Sequence, residues 1–159
     1  MKIRSAINKA AVQFGTKIVR KLGGGAGGQA FLLANGMVAK FTVDKSEANN
    51  CQKVLGKETK YLANIFSVFE IEAKEWIENV NNSGEYWLIL LEFLKTKKVN
   101  GKVHSSIPFN LIEDELMTFG IDDTDFHIAN FGFREDRIIH FDFGKCEYPE
   151  DAKFNLIYV

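Results

Sequence analysis

Cysteine and proline are scarce in this sequence of 159 residues, with two of each. Cys51 and Cys146 lie far apart and have no His or Cys cluster beside them, so neither a disulfide scaffold nor a structural zinc site is expected. No apolar run approaches the ~20 residues of a membrane span. The basic N-terminus continues into no apolar stretch of the kind that a secretory signal needs. These absences predict a soluble protein in a reducing, cytoplasmic compartment.

An excess of charge of one sign is also missing, because 20 basic residues face 21 acidic ones for a net charge of −1. This balance argues against generic nucleic-acid binding and against an acidic membrane as partner. The length suits one domain. The 14 phenylalanines predict a core rich in aromatic rings. Six of the 13 glycines fall between Leu22 and Gly36, which indicates a local requirement of the backbone.

Periodicity and turn residues predict an α+β order of elements. Asn35-Gly36 separates two apolar runs and predicts a β-hairpin, and Gly56 predicts the end of a helix. Antiparallel strands, a helix, more strands, another helix and a small hairpin then follow one another, which is an α+β arrangement. The predicted strands are 16–22, 30–33, 37–43, 65–73, 86–94, 131–133 and 138–141, and the predicted helices are 3–14, 46–55 and 108–119.

A G-x-G-x-x-G pattern stands at Gly23, Gly25 and Gly28. The pattern alone is weak, but the residues after it favour a strand, whereas a dinucleotide-binding fold would continue into a helix. Glycines between two antiparallel strands can form a flap whose backbone N–H groups approach phosphates without a Cβ in the way. The alternative is a flexible loop with no ligand.

Lys40 is the single charge in the apolar run 37–41. A lysine on a buried strand needs an anion, or its charge stays uncompensated, and Glu47 near the start of the next helix is a candidate partner. Two alternatives remain at this point. Lys40 can extend to solvent at a sheet edge, and Glu47 can serve the dipole of the helix N-terminus.

Two acidic segments near the C-terminus suggest a magnesium site. Asp125 and Asn130 form a D-x-H-x-x-N pattern, and Asp142-Phe143-Gly144 follows twelve residues later. A hairpin between them would bring Asn130 and Asp142 to one end, where an amide and a carboxylate oxygen suit Mg²⁺. Asp125 would stand nearby as a proton acceptor or hydroxyl-orienting group. The alternative is that these are turn and capping residues.

Taken in order, these segments resemble the protein-kinase-like superfamily over about residues 18–146. The D-x-H-x-x-N form is similar to the aminoglycoside-phosphotransferase branch and to the small kinases of T7-like bacteriophages. The segment 90–94 resembles the hinge after the fifth strand. The resemblance implies one minimal domain over 1–159. Residues 1–94 would form an antiparallel N-lobe sheet with one helix and the hinge. Residues 95–159 would form a much reduced C-lobe that holds the catalytic loop and metal site and ends just after the Asp-Phe-Gly motif.

The resemblance also implies the cofactors ATP and Mg²⁺ and a role for each matching residue. Lys40, paired with Glu47, would hold the α- and β-phosphates, and Asp125 would orient the acceptor hydroxyl. Asn130 and Asp142 would hold Mg²⁺. Glu92 and Leu94 would offer backbone groups to adenine between apolar walls. The complete set of implied ATP-binding residues is Gly23, Gly25, Gly28, Ala30, Val38, Lys40, Leu91, Glu92 and Leu94.

The sequence departs from the kinase pattern at several points. Thr124 stands where many kinases carry an arginine before the catalytic aspartate, so the usual counter-ion for a phosphorylated activation loop is missing. Only fifteen residues follow Gly144, which predicts a truncated activation segment and no full peptide-docking lobe. Glu47 lies seven residues after Lys40, closer than usual, so Glu58 is an alternative partner.

The function expected from these features is ATP-Mg-dependent phosphoryl transfer to Ser or Thr of a protein substrate or of the chain itself. One alternative is a kinase-like binding module, a pseudokinase that sequesters a partner protein. A small-molecule phosphotransferase ranks third, because such enzymes generally carry a large helical domain. A protein substrate or activating partner is expected, but no residue identifies it. The cytoplasmic location would be the host cytosol if a phage or an effector gene encodes the chain.

Overall fold

The computed structural model describes residues 8–9, 11–25, 28–72, 85–96, 106–122, 124 and 130–144. Residues 8–9 and 11–13 are helical, and the rest of the helix predicted over 3–14 is either outside this set or non-helical. The expected α+β composition is confirmed. The strands are β1 (Ile18–Gly25), β2 (Gly28–Leu33), β3 (Met37–Thr42), β4 (Ile65–Glu72), β5 (Glu85–Glu92), β6 (Phe131–Arg134) and β7 (Arg137–His140), and the helices are α1 (Lys45–Val54) and α2 (Phe109–Thr118).

The first five strands form one antiparallel sheet in the order β1-β2-β3-β5-β4. β1 runs further than predicted, because Gly23, Gly24 and Gly25 continue the ladder with β2 down to Gly28. The glycines therefore lie in the paired strands on both sides of residues 26–27. At the other end, the predicted Asn-Gly turn is present, with Gly36 at a φ of 84°.

The sheet is apolar on both faces, and each face has its own core cluster. On one face, side chains of β2, β3 and β5 pack with the N-terminal helical segment at Ala11. On the other face, the sheet packs against both helices and the β6–β7 hairpin. The first cluster is Ala11, Phe31, Leu33, Ala39, Phe41, Ile71, Tyr86, Leu88 and Leu90. The second includes Ala30, Val38, Cys51, Val54, Ile89, Leu91, Leu94, Ile112, Leu116, Phe131, Ile139 and Phe143.

α1 follows β3 after only two residues and begins at an N-cap. The side chain of Asp44 accepts a hydrogen bond from the backbone N–H of Ser46 at 2.8 Å, as an N-cap residue should. The helix ends before Gly56, whose φ of 67° is the left-handed conformation that favours glycine. The short connection fixes where the first turn of α1 lies relative to β3.

The β6–β7 hairpin is a second, two-stranded sheet that docks onto the first. Its turn is Glu135-Asp136, with Glu135 at a φ of 55°. Leu62 forms a parallel bridge with His140, and Lys95 forms an antiparallel bridge with Phe133. These bridges join the hairpin to the chain that enters β4 and to the chain that leaves β5.

α2 is held against the segment between α1 and β4. The Glu115 carboxylate accepts from the backbone N–H groups of Lys60 and Tyr61 at 2.7 and 2.6 Å. Lys53 donates to the carbonyl oxygen of Gly120 at 2.8 Å. These hydrogen bonds join α2 and the residues that follow it to α1 and to the segment after α1. None of the described helices has the length and apolar character that crossing a bilayer requires.

Candidate active site

Lys40 lies in the middle of β3 on the face that carries the second core cluster. Strand register places it opposite Ala30 of β2 and Ile89 of β5. Val38 and Leu91, which are register partners of each other, continue the same face one step along the strands. Ala30, Val38 and Leu91 are each less than 10% exposed. The three residues predicted to form apolar walls therefore flank the single lysine of this face.

Two carboxylates converge on the Lys40 ammonium group. Its Nζ contacts Oε1 of Glu47 and lies 3.2 Å from Oδ1 of Asp142. The Lys40 side chain is 21% exposed and that of Glu47 only 5%. Of the two candidate partners, the structure pairs Lys40 with Glu47, whereas Glu58 is exposed and lies beyond the C-terminal end of α1. Lys40 therefore neither extends freely to solvent nor leaves its charge uncompensated.

Glu47 is free to face Lys40 because another residue serves the helix N-terminus. Asp44 and Glu47 have the spacing of a capping box, in which the glutamate would accept from the N-cap backbone N–H. Here the N–H of Asp44 donates instead to Oγ1 of Thr42 at 3.1 Å. Thr42 lies at the end of β3 and is fully buried. The local sequence therefore directs the glutamate carboxylate towards β3.

The electrostatics of this cluster follow from its one cation and its buried carboxylates. Burial works against the charge of Lys40, but Asp142 and Glu47 together raise its pKa well above the usual value. Burial raises the pKa of Glu47 to about 7 despite Lys40, with Asp142 adding to the shift. Burial also opposes the charge of Asp142, but Lys40 and the Gly144 N–H hold its pKa below the usual value. The site therefore has a shortage of positive charge and would favour a cation.

The open end of the β6–β7 hairpin brings together the two predicted metal ligands. Phe131 pairs with His140, so Asn130 and Phe141 extend the hairpin by one step. The N–H of Phe141 donates to the carbonyl oxygen of Asn130 at 3.0 Å. Asp142 is the next residue, and both of its hydrogen bonds from described residues fall on Oδ1. Asn130 and Asp142 therefore lie at one end, as the sequence predicts.

These residues fit a magnesium ion in the chemistry of their donors. Mg²⁺ prefers one or two protein oxygens and keeps several waters. Asn130 offers an amide oxygen, and Oδ2 of Asp142 is not engaged by the described residues. No cluster of three or more His, Cys, Asp or Glu side chains suited to a metal occurs within the described ranges. The match to Mg²⁺ rests on the oxygen donors of Asn130 and Asp142 alone.

Two glycines have steric reasons for their identity. A Cβ on Gly28 would lie 2.1 Å from the carbonyl oxygen of Phe41, so only glycine fits beside β3 at this position. A Cβ on Gly144 would lie 3.0 Å from Oδ2 of Asp44 and 3.3 Å from Oδ1 of Asp142. The phosphate role of Gly23, Gly25 and Gly28 stays a prediction, and residues 26–27 between them lie outside the described residues.

The predicted hinge has an arrangement that sequence reasoning did not foresee. The N–H of Glu92 donates to the carbonyl oxygen of Asn64 at 2.9 Å, so this amide is already engaged. Leu94 is buried against Gly132, where a Cβ would lie 2.6 Å from Cβ of Leu94. The hinge backbone and the hairpin therefore approach each other closely, and glycine makes that approach possible.

Arg134, which binds the predicted hinge residue Glu92, was not among the predicted site residues. Arg134 donates to both carboxylate oxygens of Glu92 at 2.8 and 2.6 Å. It also donates to the carbonyl oxygens of Thr59 and Leu62. Its hydrogen bonds to Glu92 raise its pKa. Residues 134–137 are all charged, a pattern that favours an exposed turn. The sequence therefore contains no specific sign that Arg134, the first of them, binds Glu92.

His140 is fully buried beneath the site. Its ring packs near those of Phe131 and Phe143, with centroids 5.2 and 6.1 Å away. Burial lowers the pKa of His140 to about 4, so the ring is neutral at pH 7. Asp125, the predicted catalytic residue, lies outside the described residues.

No protein-family model matches the sequence, and no curated protein matches it significantly. Among solved structures, the kinase domain of PknI from Mycobacterium tuberculosis matches with a TM-score of 0.56 and 17% sequence identity. The match covers 85% of this chain and 62% of that domain, so the chain spans less than two thirds of the kinase domain's length. The match shows a protein-kinase-like fold, in which the five-stranded sheet resembles a kinase N-lobe.

Proposed function

We propose that this chain is a minimal protein kinase, which uses ATP and Mg²⁺ to phosphorylate Ser or Thr of a protein substrate or of itself. One observation carries the proposal: Lys40, Glu47 and Asp142 meet beside the apolar wall of Ala30, Val38 and Leu91. A purine needs an apolar slot, and a triphosphate needs cations against its charge. The residues for both needs are adjacent here.

In this proposal each residue has a defined task. Lys40 binds the α- and β-phosphates, and Glu47 holds its ammonium group in place. Asp142 and Asn130 hold Mg²⁺, which would neutralise charge that develops on the transferred phosphoryl group. Asp125 orients the acceptor hydroxyl. Phosphoryl transfer depends mainly on positioning. The Lys40 ammonium group suits this need, because Glu47 and Asp142 both hold it.

The base would lie between the apolar wall and the hinge. Leu91 borders the inner end of the slot. Because the N–H of Glu92 is engaged by Asn64, Glu92 has only its carbonyl oxygen to offer to adenine. Leu94 offers the next backbone groups. Gly23, Gly25 and Gly28 close the slot from above as the phosphate flap.

The finer features of the proposal concern the rest of the molecule. The C-lobe is reduced, and the D-x-H-x-x-N form relates the chain to the phage-type and aminoglycoside-phosphotransferase branches. A substrate-recruiting or activating protein partner and action in the cytoplasm are part of the same proposal.

Incubation of the full chain with labelled ATP and Mg²⁺, alone and with cell lysate, tests the activity. We expect label on Ser or Thr, and at least a hundredfold loss in Asp142→Ala, because that side chain holds the metal (about 3 kcal/mol or more of transition-state stabilisation). Asp136→Ala, an exposed acid at the other end of the same hairpin, should keep full activity. No incorporation by a chain that binds ATP would favour the pseudokinase, and label on small molecules alone would favour the small-molecule phosphotransferase.

A further inference from the structure

Asn50 is a buried polar residue on the face of α1 that packs into the molecule. It lies one turn after Glu47, and its neighbours on this face are Ala48, Cys51 and Val54. Asn50 is only 7% exposed. A buried amide is costly unless it makes hydrogen bonds, so its partner identifies what this residue does.

The partner is the backbone of the Asp-Phe-Gly segment. Nδ2 of Asn50 donates to the carbonyl oxygen of Phe143 at 2.9 Å, across 93 residues of sequence. The ring of Phe143 is itself fully buried in the core cluster. The peptide group between Phe143 and Gly144 is therefore fixed from two directions, by the Asn50 hydrogen bond and by packing of the Phe143 ring.

The position of the Asp142 carboxylate depends on this piece of backbone. Oδ1 of Asp142 accepts from the N–H of Gly144 at 3.1 Å and from Lys40 at 3.2 Å. A shift of residues 143–144 would move the Gly144 N–H and rotate the carboxylate. Such a rotation would change the orientation of both carboxylate oxygens. Oδ2, which accepts no hydrogen bond from the described residues, would then point elsewhere.

A second contact comes from the N-terminal end of the same helix. A Cβ on Gly144 would lie 3.0 Å from Oδ2 of Asp44, the N-cap of α1. The segment 142–144 therefore lies close to the N-cap of α1, is linked to Glu47 through Lys40, and is hydrogen-bonded to Asn50. Of these contacts, Asn50 makes the only direct hydrogen bond from α1 to the backbone of that segment among the described residues.

We propose that Asn50 is a positioning residue that fixes the Phe143 carbonyl and thereby keeps Oδ2 of Asp142 available for a divalent cation. This inference rests on the proposed function for its metal. It assigns to Asn50 no contact with the reacting atoms. Its consequence is specific: loss of the Asn50 amide should weaken binding of metal-bound nucleotide and leave binding of free nucleotide unchanged.

The sharpest variant is Asn50→Asp, which keeps the shape but replaces the donor with an acceptor. The matched control is Asn49→Asp, the same change on the exposed side of the same helix. Affinity of the full chain for ATP is measured with Mn²⁺ and with EDTA. We expect N50D to bind the Mn²⁺ complex about tenfold more weakly, as for loss of a buried hydrogen bond. Binding of ATP with EDTA should change by less than about twofold, and N49D should match the wild type.

A pH series separates positioning from a general packing defect. A buried carboxyl beside a carbonyl oxygen has a raised pKa, and once protonated it can donate again. Lowering the pH from 8 to 6 should therefore restore the ratio of the two affinities in N50D towards the wild-type ratio at the same pH. A ratio that does not respond to pH, or equal weakening with and without metal, would overturn the inference.

Hydrogen exchange gives a readout that needs no nucleotide. The Gly144 N–H should exchange faster in N50D than in N49D, because its acceptor moves. If the wild type binds no ATP, the proposed function fails, and faster exchange in N50D would still support the positioning role. Equal exchange in N50D and N49D overturns it. If N50D does not fold, Asn50→Ala, which introduces no charge, is measured in the same way.

Discussion

At the scale of single residues, the site depends on the protonation states of Lys40, Glu47 and Asp142. Lys40 contacts both Glu47 and Asp142, and the two carboxylates do not respond alike. Glu47 is the more deeply buried side chain, so its pKa rises, whereas Asp142 receives a further N–H and stays ionised. Near pH 7 the cluster therefore gains or loses a proton at Glu47.

This difference predicts a pH-dependent stability that can be isolated with Glu47→Gln. The folded chain holds a proton on Glu47 up to about pH 7, whereas the unfolded chain releases it near 4.5. The contribution of Glu47 is therefore fully present below pH 4.5 and is lost as the pH rises through 7. The free energy of unfolding of the wild type minus that of E47Q, from urea titrations, should fall between pH 4.5 and 7 and then level off.

The subtraction is necessary because His140 acts in the opposite direction. Its pKa falls from 6.5 to about 4 on folding, so its contribution grows as the pH rises from 4 to 6.5. Both proteins keep His140, and the difference cancels it. Glu58→Gln, at an exposed glutamate beyond the C-terminal end of α1, is the matched control for removal of a carboxylate outside the cluster. A wild-type minus E47Q difference that rises with pH would contradict the assignment.

At the scale of elements, the hairpin that carries the predicted metal ligands is fastened to the main sheet through Arg134. The guanidinium group binds the Glu92 carboxylate at the end of β5 and the carbonyls of Thr59 and Leu62. One side chain therefore satisfies acceptors from two other parts of the chain. A planar fork with several donors is suited to this task, and a lysine is not.

Arg134→Met should destabilise the fold by about 2 kcal/mol, because it removes the cation beside the Glu92 carboxylate and the Arg134 donors to Glu92 Oε1 and to the Thr59 carbonyl oxygen. Arg134→Lys should recover only part of this loss, since it restores the charge but not the fork. The matched control is Arg137→Met, an exposed arginine in the same hairpin, with a loss of about 0.5 kcal/mol or less. Urea denaturation measures all three variants. Equal losses at positions 134 and 137 would mean that the Glu92 pair contributes little.

The elements could be predicted from sequence wherever the signal is local. The hairpin at Asn35-Gly36, the helix that ends before Gly56 and the β6–β7 hairpin each have turn residues and periodicity within a few positions. The contact of Lys40 with Glu47 was also predictable, because a connection of two residues between β3 and α1 keeps them close. β1 proved longer than predicted, because cross-strand pairing overrides the low strand propensity of glycine.

The contacts that sequence reasoning missed are those between distant segments. Asn50 resembles a solvent-facing residue of a short helix until the Phe143 carbonyl is placed beside it. Arg134 and Glu92 lie 42 residues apart, and nothing local in either segment indicates the other. The close approach of Leu94 to Gly132 is equally non-local. Such contacts depend on how the elements pack, which neither spacing nor propensity determines.

At the scale of the whole molecule, the site lies where the sheet, α1 and the hairpin meet. Lys40 comes from the sheet, Glu47 and Asn50 from α1, and Asp142 from the end of the hairpin. A ligand that contacts Lys40 and Asp142 together therefore binds only the assembled protein. Such a ligand must raise the stability of the whole fold by mass action.

Thermal unfolding with ATP, with and without Mg²⁺, makes use of this linkage. At ATP-Mg one hundredfold above its dissociation constant, the wild type should gain about 2.7 kcal/mol of stability, and less without Mg²⁺. Asp142→Asn should lose the part of the gain that depends on Mg²⁺, because an amide replaces the carboxylate that would hold the metal. Asp136→Asn, at the opposite end of the hairpin, should behave as the wild type does. If ATP-Mg at millimolar concentration does not stabilise the wild type, the site does not bind this nucleotide. Lys40 and Asp142 would then form only the ion-pair cluster with Glu47.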